Sequence, residues 1–327
     1  MKILGIGNAL VDLLAKLPDD SFLKELEIAP GSMNLIDDDQ RKKIFTKLHD
    51  KGIELVMTTG GSVSNSTLAL RKLGIPIGFI GKIGSDRYGK FYLEEMTNYG
   101  VNLHLFYEQM FSGTALCLIT PDGERTFTTY LGAAADMRKS DLEEAVLEQY
   151  SLLYVEGYLI QNHELIEKAL SMAKLLGLKT ALDLASYNVV EAEKEFLKEL
   201  VEKYVDILFA NEEEAIAFTG KKPEEALCEI AEKVDIAVVK EGNKGSWVKQ
   251  NGTIIHVPCH KVINPVDTTA AGDYYAAGFL AGLSQGKDLE TCAKMGTFLS
   301  YNIIQVIGTK LEDSVWEEIH RELSEIC

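Results

Sequence analysis

Positive charge is the scarce kind in this 327-residue chain: 33 Lys and Arg stand against 50 Asp and Glu, for a formal net charge of −17. Such a balance argues against nucleic acid or an anionic membrane as partner. It does not bar a phosphate ligand, because local amides and a metal can hold one inside an acidic protein. Long apolar runs are also missing, and none approaches membrane-spanning length. Met1-Lys2-Ile3-Leu4 is expected to enter a strand rather than to open a signal peptide. Cysteine is sparse, odd in number and scattered, at Cys117, Cys228, Cys259, Cys292 and Cys327. No metal-ligand spacing results, and a reduced cytoplasm is the expected setting. Internal repeats and low-complexity tracts are absent. The one Gly-x-x-x-x-Gly-Lys string, Gly84 to Lys90, is followed by Phe91 rather than the Ser or Thr of a phosphate loop, and no Gly-x-Gly-x-x-Gly dinucleotide loop occurs.

What remains is an α/β composition, 46% hydrophobic and 25% charged, with enough chain for one large domain or a domain with an appendage. Residues 2–7 read as a short buried strand ending in glycine. Residues 19–51 read as helix-rich, with an extended piece at 31–37 and a helix from Asp37 through Leu48. Residues 77–89 read as strand, turn and helix, with Asp86 as the cap. From about 139 helices and strands alternate: helix 140–148, strand 151–156, helix 162–176, strand 178–183, helix 190–203, strand 205–209, helices 212–218 and 223–233, and strand 235–240. Such alternation predicts a mostly parallel sheet with helices on both faces. Residues 113–131 differ. Two alternating runs flank Asp122-Gly123, which predicts a hairpin inserted into the α/β chain.

The stretch Asp267-Thr268-Thr269-Ala270-Ala271-Gly272-Asp273 carries the chemistry. It follows the turn-prone Asn264-Pro265-Val266 and runs into the apolar segment 274–283, long enough for a buried helix. Small residues thus stand where a loop becomes a helix, and free N–H groups there form an anion site. A carboxylate beside an anion is poor binding design. Asp273 makes sense as the general base for a hydroxyl that attacks a phosphoryl group. The plainer alternative is that small residues permit close packing and that Asp273 suits the helix dipole.

Other candidates sit at strand ends, where α/β proteins place ligand groups. Asn8 and Asp12 follow the first strand. Gly60-Gly61-Ser62-Val63-Ser64-Asn65 precedes a helix expected over Thr67 to Leu73. Tyr158 follows another strand, and Asn211 with Glu214 opens a helix as an ordinary capping pair. Lys240, Gly242 and Gly245 end the strand at 235–240. Arg125 on the hairpin is either a phosphate ligand or a surface charge.

The string from Asp267 to Asp273 resembles the Asp-Thr-x-Gly-Ala-Gly-Asp signature of the ribokinase-like (PfkB) carbohydrate and nucleoside kinases. Gly60-Gly61-Ser62 with Asn65, and Asn8, resemble the adenosine kinases among them. The resemblance implies a ribokinase-like α/β fold: a central, mostly parallel sheet flanked by helices on both faces, with a small β-strand lid. Residues 1–327 would form one such domain, with the lid from about 11–59 and 112–134. It implies transfer of the γ-phosphoryl of ATP to a primary hydroxyl of a nucleoside or sugar, Asp273 being the base. Ala270, Ala271 and Gly272 would supply the anion-site N–H groups. Asn8, Asp12, Gly60, Gly61, Ser62 and Asn65 would hold the acceptor, with Tyr158 as an aromatic wall and its counterpart replaced around Tyr187-Asn188. Asn211, Glu214, Lys240, Gly242, Gly245, Thr268 and Asn302 would serve ATP, with Glu214 reaching Mg²⁺ through water. ATP and Mg²⁺ are the implied cofactors, and a monovalent cation is left open. One departure stands out: Ala270 replaces the usual Gly, and Ala is not expected to donate from a backbone with φ > 0. A nucleoside, a plain sugar of the ribose or fructose type, and a non-catalytic nucleoside- or ATP-binding role on the same fold remain the alternatives. The protein is expected to act as a monomer or homodimer.

Overall fold

A computed structural model of the chain describes residues 1–19, 21–260 and 265–326. Asn264 and Cys327 lie outside the described residues. Two sheets organise the rest. The strands, in chain order, are β1 (Ile3–Ile6), β2 (Leu10–Lys16), β3 (Met33–Leu35), β4 (Leu55–Gly60), β5 (Ile77–Gly84), β6 (Asn102–Glu108), β7 (Gly113–Ile119), β8 (Arg125–Tyr130), β9 (Leu152–Glu156), β10 (Lys179–Asp183), β11 (Ile207–Asn211), β12 (Ile236–Lys240), β13 (Ser246–Gln250) and β14 (Thr253–Val257).

The larger sheet has the order β14-β13-β12-β11-β10-β9-β1-β5-β6. It is parallel from β6 to β12, and β13 pairs antiparallel with both β12 and β14. Its central strands are buried on both faces, which is why they read as unbroken apolar runs rather than alternating ones. Ile3 packs into one core with Phe79, Phe209 and Phe279, whereas neighbouring Leu4 packs into the opposite core with Val155, Leu182 and Leu208. Successive strands lie on one side of β1 as β5 and β6 and on the other as β9 to β12, so the order reverses beside β1. Ligand crevices open at such points, beyond the carboxyl ends of the strands. Those ends carry Glu156, Asp183, Asn211 and Lys240, with Asp183 beside Glu156 and Lys240 beside Asn211 in register.

The smaller sheet, β3-β8-β7-β2-β4, is built from the segments around 10–60 and 113–130. The hairpin signal at Asp122-Gly123 corresponds to β7 and β8, which pair from Thr114 with Tyr130 to Ile119 with Arg125. Val11, Leu13 and Ala15 face the core, which leaves Asp12 on the opposite, partly open face.

Three helices differ from expectation. The segment 140–148 holds only a 3-10 turn, Lys139–Asp141, and one helical turn, Glu144–Leu147. The segment 190–203 is two helices, Tyr187–Ala192 and Lys194–Tyr204. The helix after Gly61 starts at Ser62 rather than Thr67 and runs to Lys72. Gly61 turns the chain with φ 96° and offers no side-chain cap. The early start is supported instead by the Glu156 carboxylate, which accepts the Val63 N–H at 3.2 Å from the end of β9. Asp86 does cap its helix, accepting from the N–H groups of Tyr88 and Gly89.

Candidate active site

The helix Ala271–Ser284 begins at a cavity of about 1450 Å³ lined from both sheets. The small sheet contributes Leu10, Asp12, Met33, Leu35, Ala115 and Phe127. Asp273, in the first turn of that helix, is held on both carboxylate oxygens. Ser62 Oγ donates to Oδ1 at 2.6 Å and Asn65 Nδ2 donates to Oδ2 at 2.8 Å. Ser66 Oγ donates to the Asp273 carbonyl at 2.9 Å. The early helix start at Ser62 therefore presents three polar residues of one helix to the first turn of another.

Ala270 occupies the cap position with φ 62° and ψ 5°, the left-handed region. The expectation that Ala would avoid φ > 0 is corrected here. Its carbonyl begins the helix by accepting the Tyr274 N–H at 2.9 Å, which fixes the residue despite roughly 1–2 kcal/mol of steric cost. Of the three anion-site donors, Ala271 N–H already reaches the Thr268 carbonyl at 3.2 Å. The N–H groups of Ala270 and Gly272 have no such partner among the described residues. Both residues are half-buried and line the cavity, so these two N–H groups are open to it at the start of a helix, where the dipole favours an anion.

The model of the family described as "pfkB family carbohydrate kinase" matches residues 29–315, well over half of the chain. The chain belongs to that family. It is similar to adenosine kinase 2 of Arabidopsis thaliana, with 29% identity over 94% of this chain and 94% of that protein. It is similar to 5-dehydro-2-deoxygluconokinase of Bacillus licheniformis, with 30% identity over 76% of this chain and 82% of that protein. The crystal structure of adenosine kinase from Sinorhizobium meliloti shares 32% identity and superimposes with a TM-score of 0.86, covering 98% of this chain and 99% of that one. The ribokinase-like α/β fold expected from the sequence is the one observed. As a PfkB kinase the protein is a phosphotransferase acting on a hydroxyl group of a sugar or nucleoside, with ATP as the phosphoryl donor.

Burial sets the electrostatics of this PfkB site. Burial raises the Asp273 carboxyl to about 6, against the opposing hydrogen bonds from Ser62 and Asn65; Asp183 raises it further and Lys240 lowers it. Burial, then the charge of Asp273, raises Asp12 to about 7, with Lys310 and the Thr309 hydroxyl opposing. Glu156 is likewise raised to about 7 by burial, opposed by its bond from Asn8. Asn8 Nδ2 donates to Glu156 Oε1 at 2.5 Å. Burial also raises Glu214, with Lys240 opposing. Asn211 and Glu214 lock each other in a capping box: Glu214 accepts from the Asn211 N–H and Nδ2, both at 2.7 Å, and its own N–H donates to Asn211 Oδ1 at 2.8 Å.

Asn8, Asp12, Gly61, Ser62, Asn65, Tyr158, Asn211, Glu214, Lys240, Gly242, Gly245, Thr268 and the residues 270–273 all line the one cavity. Gly60 does not, but a Cβ there would overlap the Asp12 carboxylate, so its role is to let Asp12 lie across it. Asn302 does not line it either. Its amide donates back to the Phe298 carbonyl at 2.9 Å, while Ser300, Tyr301 and Ile304 of the same segment face the cavity. Asn188 lines the cavity and Tyr187, which is exposed, does not, so the wall at that position carries an amide rather than a ring. Arg125 is not a surface charge; it pairs with Asp267.

Two features escaped the sequence reading. Glu156 ties Asn8 to the start of the Ser62 helix, and its signal was a lone charge closing the apolar strand Leu152-Leu153-Tyr154-Val155. Lys240, read as part of a nucleotide loop, is ion-paired with Asp183 at 3.0 Å.

Proposed function

We propose that this kinase phosphorylates the primary hydroxyl of a nucleoside, adenosine or a close analogue. The observation that carries the reading is the Asp273 carboxylate, held by Ser62 and Asn65 beside the unpaired N–H groups of Ala270 and Gly272. The acceptor oxygen attacks the γ-phosphorus as the bond to the bridging oxygen breaks, and Asp273 takes the hydroxyl proton. Charge developing on the phosphoryl oxygens is met by N–H donors that need no reorganisation. Asp12, Gly61 and Asn65 hold the acceptor hydroxyls. The acceptor end of the cavity adds Met33, Leu35, Phe127, Met137 and Tyr158. An apolar lining of that kind suits a flat base better than a sugar alone. The likeness to proteins named adenosine kinase supports the same choice.

Among the described residues no three His, Cys, Asp or Glu gather to hold a metal. That fits Mg²⁺, which keeps its waters and binds largely through substrate phosphates. Glu214, reaching through water, and Asn211 would hold it. When bound it would neutralise phosphate charge. No residue is assigned to a monovalent cation. Among the described residues no helix is long and apolar enough to cross a membrane. The small sheet, spanning the cavity as a lid, would exclude water once the acceptor is bound.

Steady-state turnover of MgATP with a panel of nucleosides and sugars tests this. Adenosine is expected to give the highest kcat/KM. A higher value with ribose, fructose or 5-dehydro-2-deoxygluconate would replace the nucleoside reading with a sugar kinase. Binding without turnover for every acceptor would leave a non-catalytic binder.

A further inference from the structure

Lys240 closes β12 at the carboxyl edge of the large sheet, and its ammonium is enclosed by protein with the side chain only 13% exposed. A solvated role on the surface is therefore excluded. Asp183 Oδ2 accepts one of its protons at 3.0 Å. An ammonium carries three donors, and no second hydrogen bond from Lys240 is found among the described residues. The remaining donors lie toward the start of the Ala271–Ser284 helix. A Cβ built on Gly272 would stand 3.2 Å from Lys240 Nζ and would meet no other neighbouring group within 4 Å. The ammonium thus sits beside Gly272, whose N–H has no partner among the described residues, and both residues line the cavity.

The surrounding charges make the position informative. Asp183 from β10, Glu214 from the helix Glu212–Thr219 and Asp273 all act on Lys240, and together they outweigh the burial that disfavours its charge. Glu156 from β9 and Asp12 from β2 line the same cavity. A triphosphate entering here meets carboxylates on several sides. Among the described residues that line the cavity, Lys240 is the one lysine or arginine.

We infer that Lys240 is a further catalytic residue, donating to the non-bridging oxygens of the phosphoryl group in flight, with Asp183 as the positioning residue that holds the ammonium there. The inference rests on the kinase reading above. No proton leaves Lys240 in the step. The acceptor oxygen–phosphorus bond forms, the bond to the β–γ bridging oxygen breaks, the acceptor proton passes to Asp273, and ADP departs. Lys240 stays protonated throughout and strengthens its hydrogen bonds as charge grows on the phosphoryl oxygens. The resemblance assigns Lys240 to ATP together with Gly242 and Gly245, and its ammonium lies beside Gly272 at the start of the Ala271–Ser284 helix.

Lys240→Met, Asp183→Asn and the double variant Asp183→Asn/Lys240→Met test this. Lys240→Met strands the Asp183 carboxylate, so its loss of activity could come from misfolding. The double variant removes both charges and restores a neutral pair, which proteins often tolerate well. Its melting temperature is expected near that of wild type, yet its kcat should stay about 10²–10³-fold down with the acceptor KM little changed, the loss typical of an oxyanion donor. Asp183→Asn keeps the ammonium and should lose less than Lys240→Met. Affinity for ADP with aluminium fluoride and acceptor, measured by calorimetry, should fall in the double variant as kcat does. A double variant that turns over like wild type would overturn the inference, since Lys240 would then serve only to neutralise Asp183. Greater damage from Asp183→Asn than from Lys240→Met would also overturn it. Wild-type protein without turnover on any acceptor would be a different failure, that of the kinase reading on which the inference rests.

Discussion

Arg125 of the β7–β8 hairpin forms an ion pair with Asp267, the residue that opens the anion-site segment. Asp267 also accepts the Thr269 N–H at 2.9 Å and the Gly308 N–H at 2.8 Å. Burial would raise its carboxyl, but these bonds and the Arg125 charge hold it below the usual range. One carboxylate thereby joins the small sheet, the segment that leads into the Ala271–Ser284 helix and the segment after the helix Leu289–Ile303. Asp267→Ala should leave an Arg and two N–H groups without their acceptor, at a cost of about 1–3 kcal/mol. Arg125→Met removes only the ion pair and should cost less. Thermal denaturation checks the order. Equal melting temperatures for both variants and wild type would mean that the junction contributes nothing to the fold.

Asp273 links geometry to pH. A general base must be ionised, and with its carboxyl raised to about 6, kcat should fall about tenfold per pH unit below that point and level off above it. The Ser62 hydroxyl bond favours the ionised form, so Ser62→Ala should move the acid limb to higher pH. Asp273→Asn should fold and bind ATP and acceptor while losing roughly 10²–10⁴ in kcat. Steady-state profiles of the three proteins decide the matter. Near-normal kcat in Asp273→Asn would remove Asp273 from its role.

How far the sequence announced this site depends on the range of each interaction. The anion-site helix start was legible because its signal is local: small residues, an acid and an apolar run in one stretch. The hairpin at Asp122-Gly123 and the Asp86 cap were legible for the same reason. The helix start at Ser62 was not. Its support is a carboxylate on Glu156, a residue far along the chain that reaches the Val63 N–H only after β9 lies beside β1. Lys240 and Asp183 end strands separated by β11, so no spacing in the sequence relates them. The shortened helix at 140–148 shows the reverse error, a local pattern overridden by packing.

Ala270 offers a test of strain at the anion site. Holding Ala at φ 62° costs about 1–2 kcal/mol that Gly would not incur. Gly also gains about 0.4–1 kcal/mol of freedom in the unfolded chain, which offsets part of the relief. Ala270→Gly should therefore stabilise the protein slightly, as read by chemical denaturation. Its effect on kcat should be modest in either direction, because the N–H donor is already in place. If wild-type turnover were undetectable with every acceptor and Gly restored it, Ala270 would instead mark a degenerate site.

Asp12 sets the last expectation, which concerns the acceptor. Gly60 has no side chain to exclude the Asp12 carboxylate, and β2 presents that carboxylate to the cavity beside Ala115 and Thr58. Burial and the Asp273 charge raise its pKa to about 7, so without an acceptor the carboxyl is only partly ionised near neutrality. Hydroxyl donors favour the charged form and would lower that value. An acceptor with both furanose hydroxyls satisfies the carboxylate, and one without them leaves it unpaired, at a cost of about 1–3 kcal/mol or more for a charged group. The 2′-deoxy analogue should therefore lose about tenfold or more in kcat/KM. Asp12→Ala should weaken the full acceptor strongly and the deoxy analogue much less, because only the former uses the carboxylate fully. ATP affinity should hardly move, since Gly242 and Gly245, proposed to hold the nucleotide, lie between β12 and β13 of the large sheet whereas Asp12 belongs to the small one. Kinetics with both acceptors and calorimetry with ATP separate the outcomes. Equal losses for the two acceptors, or a large loss of ATP binding, would make Asp12 a structural residue and move the acceptor site elsewhere in the cavity.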